Sequence, residues 1–561
     1  MSRKKYESRR DFIKKSACAG FALTLPGINT VSALDTTEGI IQINVDGSVK
    51  NQTGDRVNEP TINKISPDIV IDTDFENGHL GKYKIIQPDT ISVGPVSIHR
   101  DTWFSFRIRG VKHKKLNMVF EWINNETTGG NYAGQINNAA MVTYDGKGFE
   151  IVKDVIFAFK DPGTRSGNYL QTITHTFRED EALVSYCAPW SNTRMAELAA
   201  ELRSDPRVEI DSIGMSKIKN LPLTYFRITD KSIPDKDKKK FFLIAREDSY
   251  EAGGSWAVEG IIRFILSGDP VAKEMLKNMV FVIFPVFSVD GVALGSTNFP
   301  LDPENSKFVY VTTYWNREQP FHEIKLMKDF WTKLKNEGFE ADVCFKFHST
   351  CYWECHFRPE DCSTENLSRE RELLEILRNK LSWRIEAGPL RNSKGYMNFN
   401  FLQVFPDAIT YSSHNDFIFT GRYLKSEKVY RRHEDVLQDG ELIARSYAEF
   451  YGIKGKDVAP FLMAGDVDKN CGKKGDQITY SVYYYDINQI PPVNIQVIIN
   501  NKAYSMKCGE NVDFRKPVKY TFQTSLNNPI NNYSFSASNG KKKRKIPEEN
   551  YPLPGPFITN M

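Results

Sequence analysis

The chain has 561 residues, 40% hydrophobic and 26% charged, an ordinary globular composition with room for about three or four domains. Lys and Arg outnumber Asp and Glu by 74 to 70, but residues 1–33 hold seven of the former and two of the latter, leaving the remainder at 4 − 5 = −1. That balance gives no electrostatic case for a nucleic-acid partner, and no apolar run reaches the ~18 residues that a membrane-spanning helix needs.

The first segment reads as an export signal. Ser8-Arg9-Arg10-Asp11-Phe12-Ile13-Lys14 resembles a twin-arginine motif, an apolar stretch runs from Ala17 to Leu25, and Val31-Ser32-Ala33 has the small residues of a cleavage site. A signal peptide is therefore expected over 1–33, with the mature chain periplasmic, extracellular or at the cell surface and without a transmembrane helix. Residues 34–67 are polar and turn-rich and read as a linker. From 68 to 190 the signals are those of strands: Trp103 to Arg109 alternates with period two, Leu116 to Ile123 is a second apolar run, and Phe149 to Phe159 supplies more. An N-terminal β-sandwich is expected there.

The period changes at 191–202, where Met195, Leu198, Ala199 and Leu202 recur at helical spacing. Strands and helices then alternate to residue 453. Phe241 to Ala245, Met279 to Phe287 and Val343 to Phe347 read as buried strands, and Trp256 to Leu266, Phe321 to Lys335 and Leu437 to Tyr451 as helices. Such alternation implies a mainly parallel or mixed sheet covered by helices, with functional groups at the carboxyl ends of its strands. Residues 457–561 return to strand patterning, with Asn500-Asn501 as a hairpin turn and Lys541 to Lys545 as a basic run best read as a solvated loop. Seven cysteines follow the leader. Cys471 and Cys508 both lie in the C-terminal region and could bridge, whereas Cys344, Cys351, Cys355 and Cys362 with His356 match no zinc-knuckle spacing and read as buried thiols or a disulfide.

Several central segments resemble, in order, the zinc carboxypeptidase family, in the branch similar to cytosolic carboxypeptidases. Ala245-Arg246-Glu247-Asp248-Ser249-Tyr250-Glu251, followed by Ser255-Trp256, stands where that branch carries Ala-Arg-x-His-Pro-Gly-Glu. Pro285 to Val292 resembles its Asn-Pro-Asp-Gly-Val strand end, Trp315-Asn316-Arg317 its Asn-Arg pair, and Phe347-His348-Ser349 the strand end bearing the last zinc ligand. The resemblance spans about residues 68–452. It implies an α/β fold in which a central carboxypeptidase-like mixed sheet, covered by helices, is flanked by the N-terminal β-sandwich. Residues 457–561, with Gly475-Asp476-Gln477-Ile478-Thr479-Tyr480 and Pro491-Pro492, resemble a C-terminal immunoglobulin-like β-sandwich of the kind that spaces or attaches surface proteins.

The resemblance also implies a site. Zinc is the implied cofactor, and its His, Glu and His ligands fall by position on Asp248, Glu251 and His348. Carboxylates bind zinc, so the change at 248 keeps a donor but adds negative charge. Asn316 and Arg317 match the pair that holds a substrate carboxylate, which points to a peptide or other acidic small substrate. The family's catalytic Glu, expected after Ala408-Ile409-Thr410-Tyr411, is replaced by Ser412. On a continuing strand Ser412, His414 and Asp416 share a face, so His414 is the candidate base and Asp416 its orienting partner. Each assignment has a plainer rival: a solvated carboxylate pair at 248 and 251, a polar loop at 412–416, a structural ion pair for Arg317. Three readings stay open, namely a metallohydrolase, a peptide- or glycan-binding protein on the same scaffold, and a surface-assembly protein.

Overall fold

The computed structural model describes residues 62–64, 69–97, 103–123, 140–159, 169–296, 315–316, 320–349, 353–354, 364–381, 386–387, 396–414, 418–419, 429–455, 457–548 and 551–559. The segment 1–33, read as an export signal, and most of the 34–67 segment lie outside these residues. Within the segment read as a linker, Ile62–Lys64 is a strand, paired antiparallel with Val70–Asp72.

The amino-terminal strands form two sheets, of six and five strands. Alternation along Ser105–Arg109 buries Phe106 and Ile108, and alternation along Lys115–Ile123 buries Leu116, Met118, Phe120 and Trp122. Phe104 stacks on Phe120 with ring centroids 4.6 Å apart, which joins the two sheets as a sandwich.

In the central sheet, labelled β1 to β6 in chain order, the strands are Val208–Met215, Pro222–Ile228, Lys239–Ala245, Met279–Phe284, Val343–His348 and Ile409–His414. Their spatial order is β1-β2-β4-β3-β5-β6. The pairs β4–β3, β3–β5 and β5–β6 are parallel, whereas β2 runs antiparallel to β1 and β4. A strand covered on both faces reads as a continuous apolar run, and every residue of β4 and β5 is buried. The sheet is thus mixed, as the alternation of elements predicts.

The Ala252–Leu266 helix is buried almost all round, so the expected packed face of Trp256, Ile261, Phe264 and Ile265 is only part of its burial. It lies against the His433–Phe450 helix at backbone contact. A Cβ on Gly260 would meet Leu437 O at 2.0 Å, and one on Gly440 would meet Ala257 O at 2.1 Å. Two glycines facing each other's helix permit this approach.

The carboxyl-terminal strands form a three-stranded and a six-stranded sheet around their own core, with Tyr480 and Tyr533 in edge contact at 5.2 Å. Asn500 and Asn501 both adopt positive φ between Asn494–Ile499 and Lys502–Ser505, the hairpin turn read from the sequence. Cys471 and Cys508 are free thiols, which corrects the expected bridge. Cys471 sits beside Phe557 on the six-stranded sheet, whereas Cys508 lies against Tyr520 of the other sheet. Of the basic run, Lys541, Lys542, Lys543 and Lys545 are exposed, but Arg544 is buried and paired with Glu441 and Glu548. No helix among the described residues is long and apolar enough to cross a membrane.

Candidate metal centre

Strand β3 ends at Ala245, and the loop at 246–251 follows it at the carboxyl edge of the sheet. Arg246 opens this loop at φ 57°, a left-handed conformation unusual for a residue with a side chain. Its buried guanidinium holds the turn by donating to Trp190 O at 3.0 Å and to Ser249 O. Burial also lowers the Arg246 pKa to about 10. Glu251 is the residue at the amino-terminal boundary of the Ala252–Leu266 helix, where the helix dipole favours a carboxylate. Two glycines tighten the arrangement. A Cβ on Gly254 would lie 2.6 Å from Phe347 O, and one on Gly291 would lie 2.6 Å from Ser249 Oγ. The helix start is thereby pressed onto the end of β5, next to His348.

Asp248, Glu251 and His348 meet there, all buried, with one ligand atom from each within 4.8 Å of the others. His348 Nδ1 lies 2.8 Å and 3.0 Å from the two Glu251 carboxylate oxygens. Asp248 Oδ1 is buried with no hydrogen-bond partner among the described residues. Burial, and then the Glu251 charge, hold the Asp248 carboxyl well above the usual carboxylate range. Burial, and then the Lys346 charge, hold the His348 imidazole well below its ordinary value, so it is neutral and can donate a lone pair. Two oxygen donors and one nitrogen donor, with one oxygen lacking a hydrogen-bond partner among the described residues, form a set that suits a zinc-like cation.

The remaining candidates divide. Parallel register sets Ser412 beside Lys346 and His414 beside His348, so both predicted residues stand on the strand next to the centre. Ser412 Oγ is buried without a hydrogen-bond partner among the described residues. The His414 side chain, Asp416 and Arg317 lie outside the described residues, as do Cys351, Cys355, His356 and Cys362. Asn316 is exposed in a turn, next to the fully buried Trp315. Asp290, from the Pro285 to Val292 segment, serves the fold, because its carboxylate accepts from Ser216 Oγ and from the backbone N–H of Ile218 and Lys219.

Sequence reasoning missed one pair at the site. Lys346 and Glu247, each 1% exposed at the side chain, form an ion pair, and Trp315 Nε1 donates to the other Glu247 oxygen. The available signal was a lysine inside an otherwise apolar strand, since such a residue is rarely buried unless paired.

Residues 195–351 match the family model described as zinc carboxypeptidase. Among curated proteins the chain is similar to the cytosolic carboxypeptidases. It is 25% identical to cytosolic carboxypeptidase 6 of Mus musculus over 242 residues, 41% of this chain and 44% of the relative. It is 23% identical to cytosolic carboxypeptidase 2 of Danio rerio over 255 residues, 42% of this chain and 35% of the relative. The chain thus spans less than half the length of these curated relatives. A crystal structure of a metallo-carboxypeptidase from Burkholderia cenocepacia superposes with a TM-score of 0.55 at 18% identity, covering 68% of this chain and 98% of that one. This likeness bears on the fold.

Proposed function

We propose that the protein is an exported metal-dependent hydrolase that cleaves an amide or ester in a peptide or other acidic substrate. The observation that carries this reading is the convergence of Asp248, Glu251 and His348, with one buried carboxylate oxygen left without a hydrogen-bond partner among the described residues. These three residues would hold the zinc ion, which when bound supplies Lewis-acid polarisation of the scissile carbonyl and a more acidic water. Asn316 and Arg317 bind an acidic group of the substrate. His414, whose backbone pairs beside His348, takes the proton from the attacking water, and Asp416 orients it. The leader with Arg9-Arg10 supports export, and the C-terminal sandwich, read as immunoglobulin-like, supports attachment at the cell surface.

The test is amino-acid release from peptides ending in Glu or Asp by zinc-loaded protein. Release is expected, with loss in Glu251→Ala and a roughly 100-fold lower kcat in His414→Ala, the usual scale for removing a general base. No release from any acidic or neutral peptide would defeat the hydrolase reading.

One observation favours a second reading, in which the scaffold binds a peptide or glycan without cleaving it. Ser412 stands where the resemblance expects a catalytic Glu, and its register neighbour is a lysine. Under that reading the double variant Ser412→Glu with Asp248→His gains carboxypeptidase activity that the wild type lacks. An inactive, folded double variant would count against the positional match.

A further inference from the structure

We propose that Lys346, held in place by Glu247, is the residue that limits how tightly this centre takes a divalent cation. The inference rests on the reading of Asp248, Glu251 and His348 as the ligands. Lys346 and His348 are two apart on β5, and alternation puts their side chains on one face of the strand. At 1% exposure the ammonium has no water shell to screen it, and the Glu247 carboxylate that pairs with it is buried as deeply. Glu247 is itself fixed by Trp315 and is the chain neighbour of Asp248. Facing Lys346 from β6 is Ser412, a neutral hydroxyl. The buried cation of the 246–251 loop, Arg246, is turned onto the carbonyls of Trp190 and Ser249.

The ligand set carries one more carboxylate than the family's, and Lys346 sets an opposing fixed charge beside it. In a site of low dielectric such a charge acts strongly on a dication, because the interaction scales inversely with the local dielectric constant. The arrangement therefore tempers a centre that would otherwise be over-negative, with Glu247 keeping the ammonium folded in.

The experiment is a Zn2+ titration of the full chain against a chromophoric chelator, with the urea midpoint as a control for folding. Lys346→Met is expected to bind Zn2+ at least about tenfold more tightly than wild type, since a repulsive charge is gone and Glu247 is left unneutralised. Should Lys346→Met fail to fold around its unpaired carboxylate, the comparison of Glu247→Gln/Lys346→Met with Glu247→Gln asks the same question, and the double variant is expected to bind at least about tenfold more tightly. If wild type binds Zn2+ and loss of Lys346 changes affinity by less than threefold or weakens it, the inference is overturned and the ligand assignment survives. If wild type binds none but Lys346→Met does, the inference holds, with Lys346 blocking the centre. If no variant binds, both the inference and the ligand assignment fall.

Discussion

Arg432 is the clearest place to test how the three sheet regions are joined. It is 3% exposed and precedes the His433–Phe450 helix. Its Nε donates to Phe149 O of the amino-terminal sandwich at 2.8 Å, Nη1 donates to Gly465 O, and Nη2 donates to Asp466 Oδ1 at 2.8 Å and to Tyr533 OH at 2.9 Å. Arg432→Met keeps the apolar stem and removes every donor. Phe149 O and Gly465 O then lose a buried partner, at about 1–3 kcal/mol each, and Asp466 loses one of its two cationic partners among the described residues, keeping Lys153. Taken with the usual loss on breaking a buried ion pair, a destabilisation of about 5 kcal/mol is expected. Urea unfolding followed by far-UV circular dichroism would read it directly. Arg432→Lys, which restores charge but lacks the planar fork, should recover less than half of the loss. A Met variant within about 1 kcal/mol of wild type would refute the claim that this guanidinium ties the regions together.

Other expectations follow from burial. Burial raises the Glu150 pKa to about 8 against the pull of Arg178, so the fold favours its protonated form. The unfolded chain releases this proton from about pH 4.5 while the folded chain holds it to about 8, so the stability from this group is full below 4.5 and lost as pH rises towards 8. Glu150→Gln should therefore match wild type near pH 4.5 and exceed it near pH 8 by at most about 5 kcal/mol; a constant difference across that range would contradict the assignment. The neighbouring His175, lowered to about 3 by burial, acts oppositely, costing stability as pH falls from 6.5, and the variant leaves that slope in place. Gly260→Ala or Gly440→Ala should each lower stability by several kcal/mol, because the added methyl meets partner-helix backbone at 2.0–2.1 Å; a change under about 1 kcal/mol in thermal unfolding would show that the helices part freely.

Much of the architecture was legible because its signals are local. Phe241 to Ala245 and Met279 to Phe284 are apolar runs that only a doubly covered sheet can bury, and Asn500-Asn501 carries its own turn chemistry. The convergence of Asp248, Glu251 and His348 was expected from family resemblance alone, since nothing in their spacing shows that they meet. What escaped depends on distant partners. Lys346 makes sense only beside Glu247, on another strand's loop. The hub at Arg432 needs three sheets already in place. The Ala252–Leu266 helix begins four residues before its expected start at Trp256; glycine is a weak helix former, yet the close contact with Phe347 O leaves no room for a Cβ at Gly254. The Cys471–Cys508 pairing failed because Cys471 lies beside Phe557 of the six-stranded sheet, whereas Cys508 lies against Tyr520 of the three-stranded one.

The central claim is that two carboxylates and an imidazole share one cation. Metal content of the purified full chain, after zinc-replete expression and dialysis, tests it most directly. One divalent ion per chain, lost in Glu251→Ala while the fold persists, is the result expected. A chain that stays metal-free, or one whose ion is indifferent to Glu251→Ala, would contradict it.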